Sequence, residues 1–434
     1  MTTYWQRTRA VIASRFGSSA FWLVLDRVVR LGGGLLVSLL MARALGPTDF
    51  GLYSYALALV SFTLAIGTLG LDGILVRELV RSPDTAPATL GSAALLRWGA
   101  GLCGVAAAAV GALLLRPADS LFVWLTLVLA LAAPLHASQV IDFWFQAQQT
   151  PRNVVLARIM AFGLLALVRV GMILVEAPLI AFAWAIWSEA LIGALGVNIA
   201  YWRSGGRMAH WQITWGALSH LVRDGVPLLV AALLITLYLR MDQIMIGWLI
   251  DEQALGMYAV AVRLAEPWPL LPVTVIGAAL PVMVRLRESD PLRFEQRMRQ
   301  IYAVVSLYGY VVGISATLLA PLLVPLLLGP AFRDAIPSTI VLVWAGLFVG
   351  LGSARSMYFT ALRWTDLHTL TVALGALTNL LLNLWLIPLY GAFGAALASL
   401  IAYWMAVHGA CLLIPRLWPT ARMIAQTMFW PKFW

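Results

Sequence analysis

Apolar residues in this sequence run in blocks too long for the helices of a water-soluble core. Leu121 to Ala147, Ile301 to Leu328 and Ala392 to Leu413 are three of them, and Asp142 is the single formal charge they contain. A hydrocarbon layer about 30 Å thick is crossed by about 20 apolar helical residues, so each block is long enough to span a bilayer. The chain is 62% hydrophobic and only 11% charged, whereas a soluble protein carries about 25% charged residues; it lacks the polar surface to dissolve. Twelve spans are read, at 20–42, 52–72, 89–115, 121–147, 154–174, 179–202, 220–249, 255–284, 301–328, 337–362, 369–387 and 392–413. The first, interrupted by Asp26, Arg27 and Arg30 and followed by no small-residue cleavage site, reads as a span and not as a signal peptide. The expected fold is an all-α integral membrane protein.

The net charge of +10 would suit nucleic acid, but its placement argues for topology. With the N-terminus inside, the segments on that side hold Arg7, Arg9, Arg15, Arg77, Arg81, Arg152, Arg203, Arg207, five arginines between 285 and 299, Arg363, Arg416, Arg422 and Lys432. The opposite loops hold only Arg43, Arg116 and Arg333. That asymmetry, alternating along the chain, is the positive-inside pattern, and it places both termini in the cytoplasm. No nucleic-acid partner is implied. Between spans, RLRESDPLRFEQRMRQ at 285–300 reads either as a short amphipathic helix lying on the membrane face or as a solvated loop. Tyr4, Trp5 and Phe16, and the closing MFWPKFW, have the composition of interfacial anchors.

The sequence also repeats itself. GPTDFGLYSY at 46–55 is echoed by DEQALGMYAV at 251–260, with Gly51 on Gly256 and Tyr53 on Tyr258, 205 positions apart. LVLDRV at 23–28 is echoed by LVRDGV at 221–226, and Pro178-Leu179 by Pro388-Leu389. The three echoes fall in the same order in two halves of six spans, so the expected organisation is an N-terminal lobe, 1–205, and a C-terminal lobe, 206–434. An even number of spans per half makes the repeats parallel, and transporters built this way place their site between them, here a central cavity.

These motifs resemble those of a known family. MARALGPTDFGLYSYALAL, RMDQIMIGWLIDEQALGMYAVAVRLAEP at 240–267, LLLGPAFRDAIPS at 326–338 and IPLYGAFGAALASLIAY at 387–403 are similar to segments of bacterial polysaccharide flippases of the Wzx type, relatives of multidrug exporters and lipid II flippases. The resemblance covers most of the chain. It implies two six-helix lobes around a cavity that opens alternately to each side. The implied substrate is an undecaprenyl-diphosphate-linked oligosaccharide, an O-antigen, exopolysaccharide or capsule unit, moved from the inner to the outer leaflet of the bacterial cytoplasmic membrane. Its implied partners are that lipid-linked oligosaccharide, membrane lipids and other polysaccharide-assembly proteins.

A charge at membrane depth is costly and is a functional candidate by default. Nine arginines fall within the spans; Arg158, Arg223 and Arg355 lie near span ends, where reaching the headgroups is the ordinary outcome. Arg30, Arg97, Arg240 and Arg263 lie deeper and are the candidates to line the cavity and hold a diphosphate, because guanidinium stays charged and grips phosphate oxygens in pairs. The competing reading is structural pairing, of Arg30 with Asp26, Arg263 with Glu266 and Arg240 with Asp242. Glu189, with no cation near it in sequence, Asp26 and Glu266 are the candidates to carry a coupling ion, H+ or Na+; for Glu189 a helix-to-helix hydrogen bond is the alternative. His136 and His408 read as packed polar residues, and Asp72 and Asp142 as interfacial. Pro267, Pro269, Pro272 and Pro281 mark a bent span, either a hinge or a static kink.

No catalytic residue, bound cofactor or metal site is expected. Cys103 and Cys411 alone support neither a disulfide framework nor a metal centre, and no phosphate-cradling GxxxxGK[ST] motif occurs. A cation-coupled multidrug exporter of the same fold is the alternative function. A membrane-embedded glycan-assembly enzyme is the third, disfavoured because no hydrophilic loop is large enough for its chemistry.

Overall fold

The computed structural model describes the backbone of residues 2–429 and the side chains of 21, 22 and 24–429. The interfacial readings of Tyr4, Trp5 and Phe16 and of the last five residues fall outside the described side chains. Every regular element among the described residues is helical: α1 (Thr2–Thr68), α2 (Asp72–Arg81), α3 (Ala86–Leu115), α4 (Ser120–Ala130), α5 (Ala132–Leu135), α6 (Gln139–Ala147), α7 (Arg152–Leu174) and α8 (Leu179–Arg203). Then follow α9 (Trp215–Leu249), α10 (Glu252–Ala265), α11 (Leu270–Ser289), α12 (Pro291–Leu328), α13 (Ala335–Ala361), α14 (Thr365–Trp404), α15 (Ala410–Leu413) and α16 (Trp418–Phe429). In lipid the backbone must satisfy its own hydrogen bonds, and a helix does so within one segment.

Ten helical runs among the described residues are long and apolar enough to cross a membrane. Two of them, Val24–Arg81 and Thr365–Leu413, greatly exceed the length one crossing requires. Each is broken where a glycine leaves helical geometry, Gly46 at φ 74° and Gly391 at φ 57°. Glycine has no Cβ to oppose a positive φ. Each break ends one pass and begins another, which recovers the twelve passes read from the sequence.

Two compact units result, Met1–Ala44 with Tyr53–Met241, and Leu45–Leu52 with Asp242–Trp434. In the first, Leu71, Leu75, Leu90, Val140, Phe145 and Val154 form a buried cluster that takes in Leu221 of α9. The echoed segment LVRDGV finds a structural role there. Asp224 accepts a hydrogen bond from Arg77 Nη2 at 2.7 Å, and Gly225 presses so closely on Leu69 that an added Cβ would lie 2.6 Å from its carbonyl oxygen.

In the second unit the two copies of the repeated turn meet. A Cβ on Gly51 would fall on the carbonyl of Glu252, and a Cβ on Gly256 on the carbonyl of Pro47. Asp251 caps α10 by accepting from the Ala254 N–H at 2.7 Å, which fixes the second copy's turn.

Two sequence expectations need correction here. The 285–300 segment is neither a surface-lying helix nor a loop: residues from Pro291 onward are the first turns of the continuous 38-residue α12. Phe294 and Met298 are fully buried against Met357 and Phe359 of α13 and Met423 and Ile424 of α16. Arg355 does not reach towards headgroups; it is 1% exposed. Its guanidinium lies 5.1 Å from the Phe359 ring centroid, and it donates to the carbonyl of Ala406, inside a π-helical turn at Met405–Gly409. A π turn shifts the backbone ladder by one residue, and the arginine takes up a carbonyl of that turn.

Candidate functional site

The fourth span is not one helix. After α4 comes Leu131, then the single turn of α5 containing Pro134, a 3-10 turn at His136–Ser138, and α6. Proline removes a ladder hydrogen bond and bends the chain. Gly101 of α3 makes room for the bend, since a Cβ there would lie 2.8 Å from Pro134. Irregular backbone at membrane depth is tolerated where it lines a cavity, and this segment does so.

The cavity it lines has a volume of about 410 Å³ and lies wholly within the first unit. Asp26 and Arg30 enter from α1, His136, Gln139 and Asp142 from the broken span, Arg158 and Arg169 from α7, and Glu189 from α8. Arg158 bridges two carboxylates, Asp142 at 2.7 Å and Asp26 at 3.5 Å. Arg169 and Glu189 pair at 2.5 Å. Three carboxylates therefore face three arginines, but two acids share Arg158. Arg30 lines the cavity with no carboxylate in ion-pair range among the described residues.

The structure thus brings together Arg30, Asp26 and Glu189 of the candidates and leaves the others elsewhere. Arg97 is fully buried behind the cavity wall. Its Nη1 lies 3.2 Å from Asp72, its Nη2 donates to Gln139 at 3.2 Å, and its guanidinium sits over Phe143. It braces Gln139, which does line the cavity. Arg240 does not line it, and Arg263, half-buried, and Glu266, exposed, belong to the second unit. The Asp26–Arg30 pairing suggested by their spacing is not made, because Asp26 turns to Arg158. Asp142, expected at the interface, is buried, and Arg158, expected to reach the headgroups, is the bridge. Glu189 does have a cation, Arg169, on the other arm of the α7–α8 hairpin.

A second polar cluster went unselected in the sequence. Asp242 of α9 is buried in the second unit and accepts from Tyr258 at 2.6 Å, Ser399 at 2.6 Å and Asn383 at 2.5 Å. Asn383 also donates to Asn379 at 3.1 Å, and its own Oδ1 is buried without a hydrogen-bond partner among the described residues. All these donors are neutral. Asn379 and Asn383, i and i+4 in an apolar run, were the readable signal, since that spacing puts two amides on one helix face.

Comparison with known proteins agrees with this architecture. The family described as polysaccharide biosynthesis protein matches residues 40–337. A probable flippase, AglR, of Haloferax volcanii is 28% identical over 236 residues, 51% of this chain and 46% of that protein; the match spans about half of the curated relative's length. Among solved structures, the lipid II flippase MurJ in an inward closed conformation aligns over 95% of this chain and 90% of its own, with a TM-score of 0.68 at 15% identity. An inward-facing multidrug resistance transporter of the MATE family aligns over 93% of this chain and 99% of its own, with a TM-score of 0.69 at 14% identity. At such identities the likeness is one of fold. With the family match extending over more than half of its length, the chain belongs to the polysaccharide biosynthesis protein family.

Proposed function

We propose that this protein is a flippase that moves an undecaprenyl-diphosphate-linked oligosaccharide from the inner to the outer leaflet of the cytoplasmic membrane by alternating access, with both termini inside. The observation that carries the reading is Arg30, a guanidinium lining the first unit's cavity with no carboxylate in ion-pair range among the described residues. A diphosphate crossing a low-dielectric layer needs a fixed cation, and guanidinium binds its oxygens in pairs. Arg158 and Arg169 are next in reach, held in place by acids they can exchange for phosphate. The multidrug-exporter alternative calls for free acids to hold a cationic drug, but Asp26, Asp142 and Glu189 are all engaged. The reading is transport, not catalysis, and the similarity to a probable flippase supports it.

Transport against a gradient needs a driving ion, H+ or Na+. Asp242, which accepts from neutral donors on α10 and α14, joins Glu189 and Asp26 as a candidate carrier, since its oxygen-rich surroundings suit a hard cation or a proton. The test is mass spectrometry of polyprenyl-diphosphate glycans in cells lacking the protein, with a leaflet-accessibility probe. A completed glycan accumulating on the cytoplasmic leaflet is expected. Unchanged lipid-linked glycans would refute the reading, and a glycan missing a sugar would point to an enzyme.

A further inference from the structure

Helices α11 and α12 run antiparallel through the turn at Asp290 and leave a groove of about 440 Å³ between them, wholly within the second unit. Leu271, Val275 and Ile276 of α11 and Ile301, Val304 and Val305 of α12 line it. Leu271, Val275 and Val304 are 57%, 60% and 56% exposed, so the groove is open along its side. Its two ends differ. At one end the Tyr308 hydroxyl donates to the Trp268 carbonyl at 2.8 Å, and Pro272 fills the space beside them. At the other, Arg297 brings a charge to the lining and Gln300 an amide, the guanidinium donating to the amide oxygen at 2.9 Å. Arg297 is exposed, with no carboxylate in ion-pair range among the described residues. Glu295, two positions earlier, stands about 200° round the helix from it, and Arg299 turns away to Gln426 of α16. From Arg297 to Tyr308 the helix rises about 16 Å, which is about half of the hydrocarbon layer.

We propose that this groove binds one acyl chain of an anionic phospholipid, with the phosphate of its headgroup on Arg297. Arg297 directly precedes the apolar run that begins at Ile301, so its guanidinium stands at headgroup level while the groove descends beneath it. With the orientation proposed above, that level belongs to the cytoplasmic leaflet, whose anionic lipids draw basic residues. The dimensions select the same occupant. A phospholipid chain of one leaflet fills the groove from its mouth to its closed end, whereas an isoprenoid tail reaching into the opposite leaflet is stopped at Tyr308 and Trp268. The charge selects the headgroup. Guanidinium grips phosphate oxygens in pairs, and a zwitterionic lipid, which brings its own cation to the phosphate, gains less from Arg297. The site belongs to the second unit, the charged cavity to the first, and its ligand is a resident lipid and not the cargo.

The test uses the purified full chain in phosphatidylcholine vesicles doped with phosphatidylglycerol that carries a diazirine midway along one acyl chain. A phosphatidylcholine probe with the same chain is the reference, and adducts are mapped by mass spectrometry after irradiation. Labelling of Leu271, Val275 or Val304 is expected to be about fivefold higher from the anionic probe, the factor that one basic residue contributes at an anionic surface. Arg297→Gln should bring the two probes level, and Arg297→Lys should keep part of the difference. Arg297 is exposed, so both variants are expected to fold. Equal labelling by the two probes in the unaltered protein would show an ordinary lipid surface and overturn the site, as would an excess that survives Arg297→Gln. Displacement of the anionic probe by unlabelled undecaprenyl diphosphate would make the groove a seat for the cargo and overturn the phospholipid. The flippase reading stands or falls separately, on the glycan that accumulates in cells lacking the protein.

Discussion

Arg169 and Glu189 close on each other at 2.5 Å from the two arms of the α7–α8 hairpin, in the wall of the first unit's cavity. Removing one partner of a mostly buried pair strands the other charge, at a cost of about 3–5 kcal/mol. Glu189→Gln is therefore expected to lower the melting temperature of the detergent-solubilised protein substantially, and Arg169→Gln with Glu189→Gln to recover most of that loss. An unchanged melt in Glu189→Gln would show that the pair contributes nothing to folding.

Arg30 and Arg97 separate by the same logic in opposite directions. Arg30 makes no ion pair among the described residues, so Arg30→Gln is expected to leave abundance and melting unchanged while export falls. Arg30→Lys should rescue only in part, since an ammonium lacks the paired geometry of guanidinium. Normal export in a normally abundant Arg30→Gln protein would remove this residue from the substrate site.

Arg97 holds Asp72 and Gln139 from full burial. Arg97→Met is expected to cost folded protein, with export falling in proportion to abundance. Export per folded molecule, from parallel quantitation of both, is the deciding ratio. A drop in that ratio would give Arg97 a direct part in transport.

Asp242 accepts from three donors, and Asp242→Asn turns one acceptor into a donor facing donors. An unsatisfied buried group costs about 1–3 kcal/mol, which a melting curve resolves. In vesicles with an imposed Na+ or H+ gradient, the gradient-driven part of transport is expected to vanish in Asp242→Asn. If the variant still responds to both gradients, the cluster is structural.

The paired glycines give the sharpest test of packing. Gly51→Ala and Gly256→Ala each drive a methyl onto a backbone carbonyl and are each expected to cost about 1–3 kcal/mol, as overpacked sites do. Gly171→Ala, whose Cβ meets nothing within 4 Å, should be neutral or stabilising, because alanine favours helix by about 1 kcal/mol. The double Gly51→Ala, Gly256→Ala protein should lose less than the two singles together, since both methyls part the same contact. Full additivity would show that the two clashes are relieved independently.

The passes were legible in the sequence because length and hydropathy fix them locally. Three of the charges singled out within those passes, Arg30, Asp26 and Glu189, line one cavity. What the sequence hid was partnership. Asp26 and Arg30 share a helix face by spacing, yet side chains on a neighbouring helix offered Asp26 a better cation, and that depends on helix rotation. Arg169 and Glu189 are twenty residues apart and meet only through the hairpin. Arg355 sits near a span end, where hydropathy suggests the headgroups; it is buried against the π turn at Ala406 and Cys411 of α15, which no local pattern reports. The Asp242 cluster draws on α9, α10 and α14 at once, and only its two asparagines share a readable register.

The mutual contact of Pro47 and Gly51 with Glu252 and Gly256 couples the two copies of the turn. The offset of 205 carries Pro47 onto Glu252 and Gly51 onto Gly256, so it maps each contact onto the other, and each copy of the turn is the surface against which the other is fitted. A bulky change in either copy is therefore felt by both. Neither copy of the turn can be altered here without the other registering it.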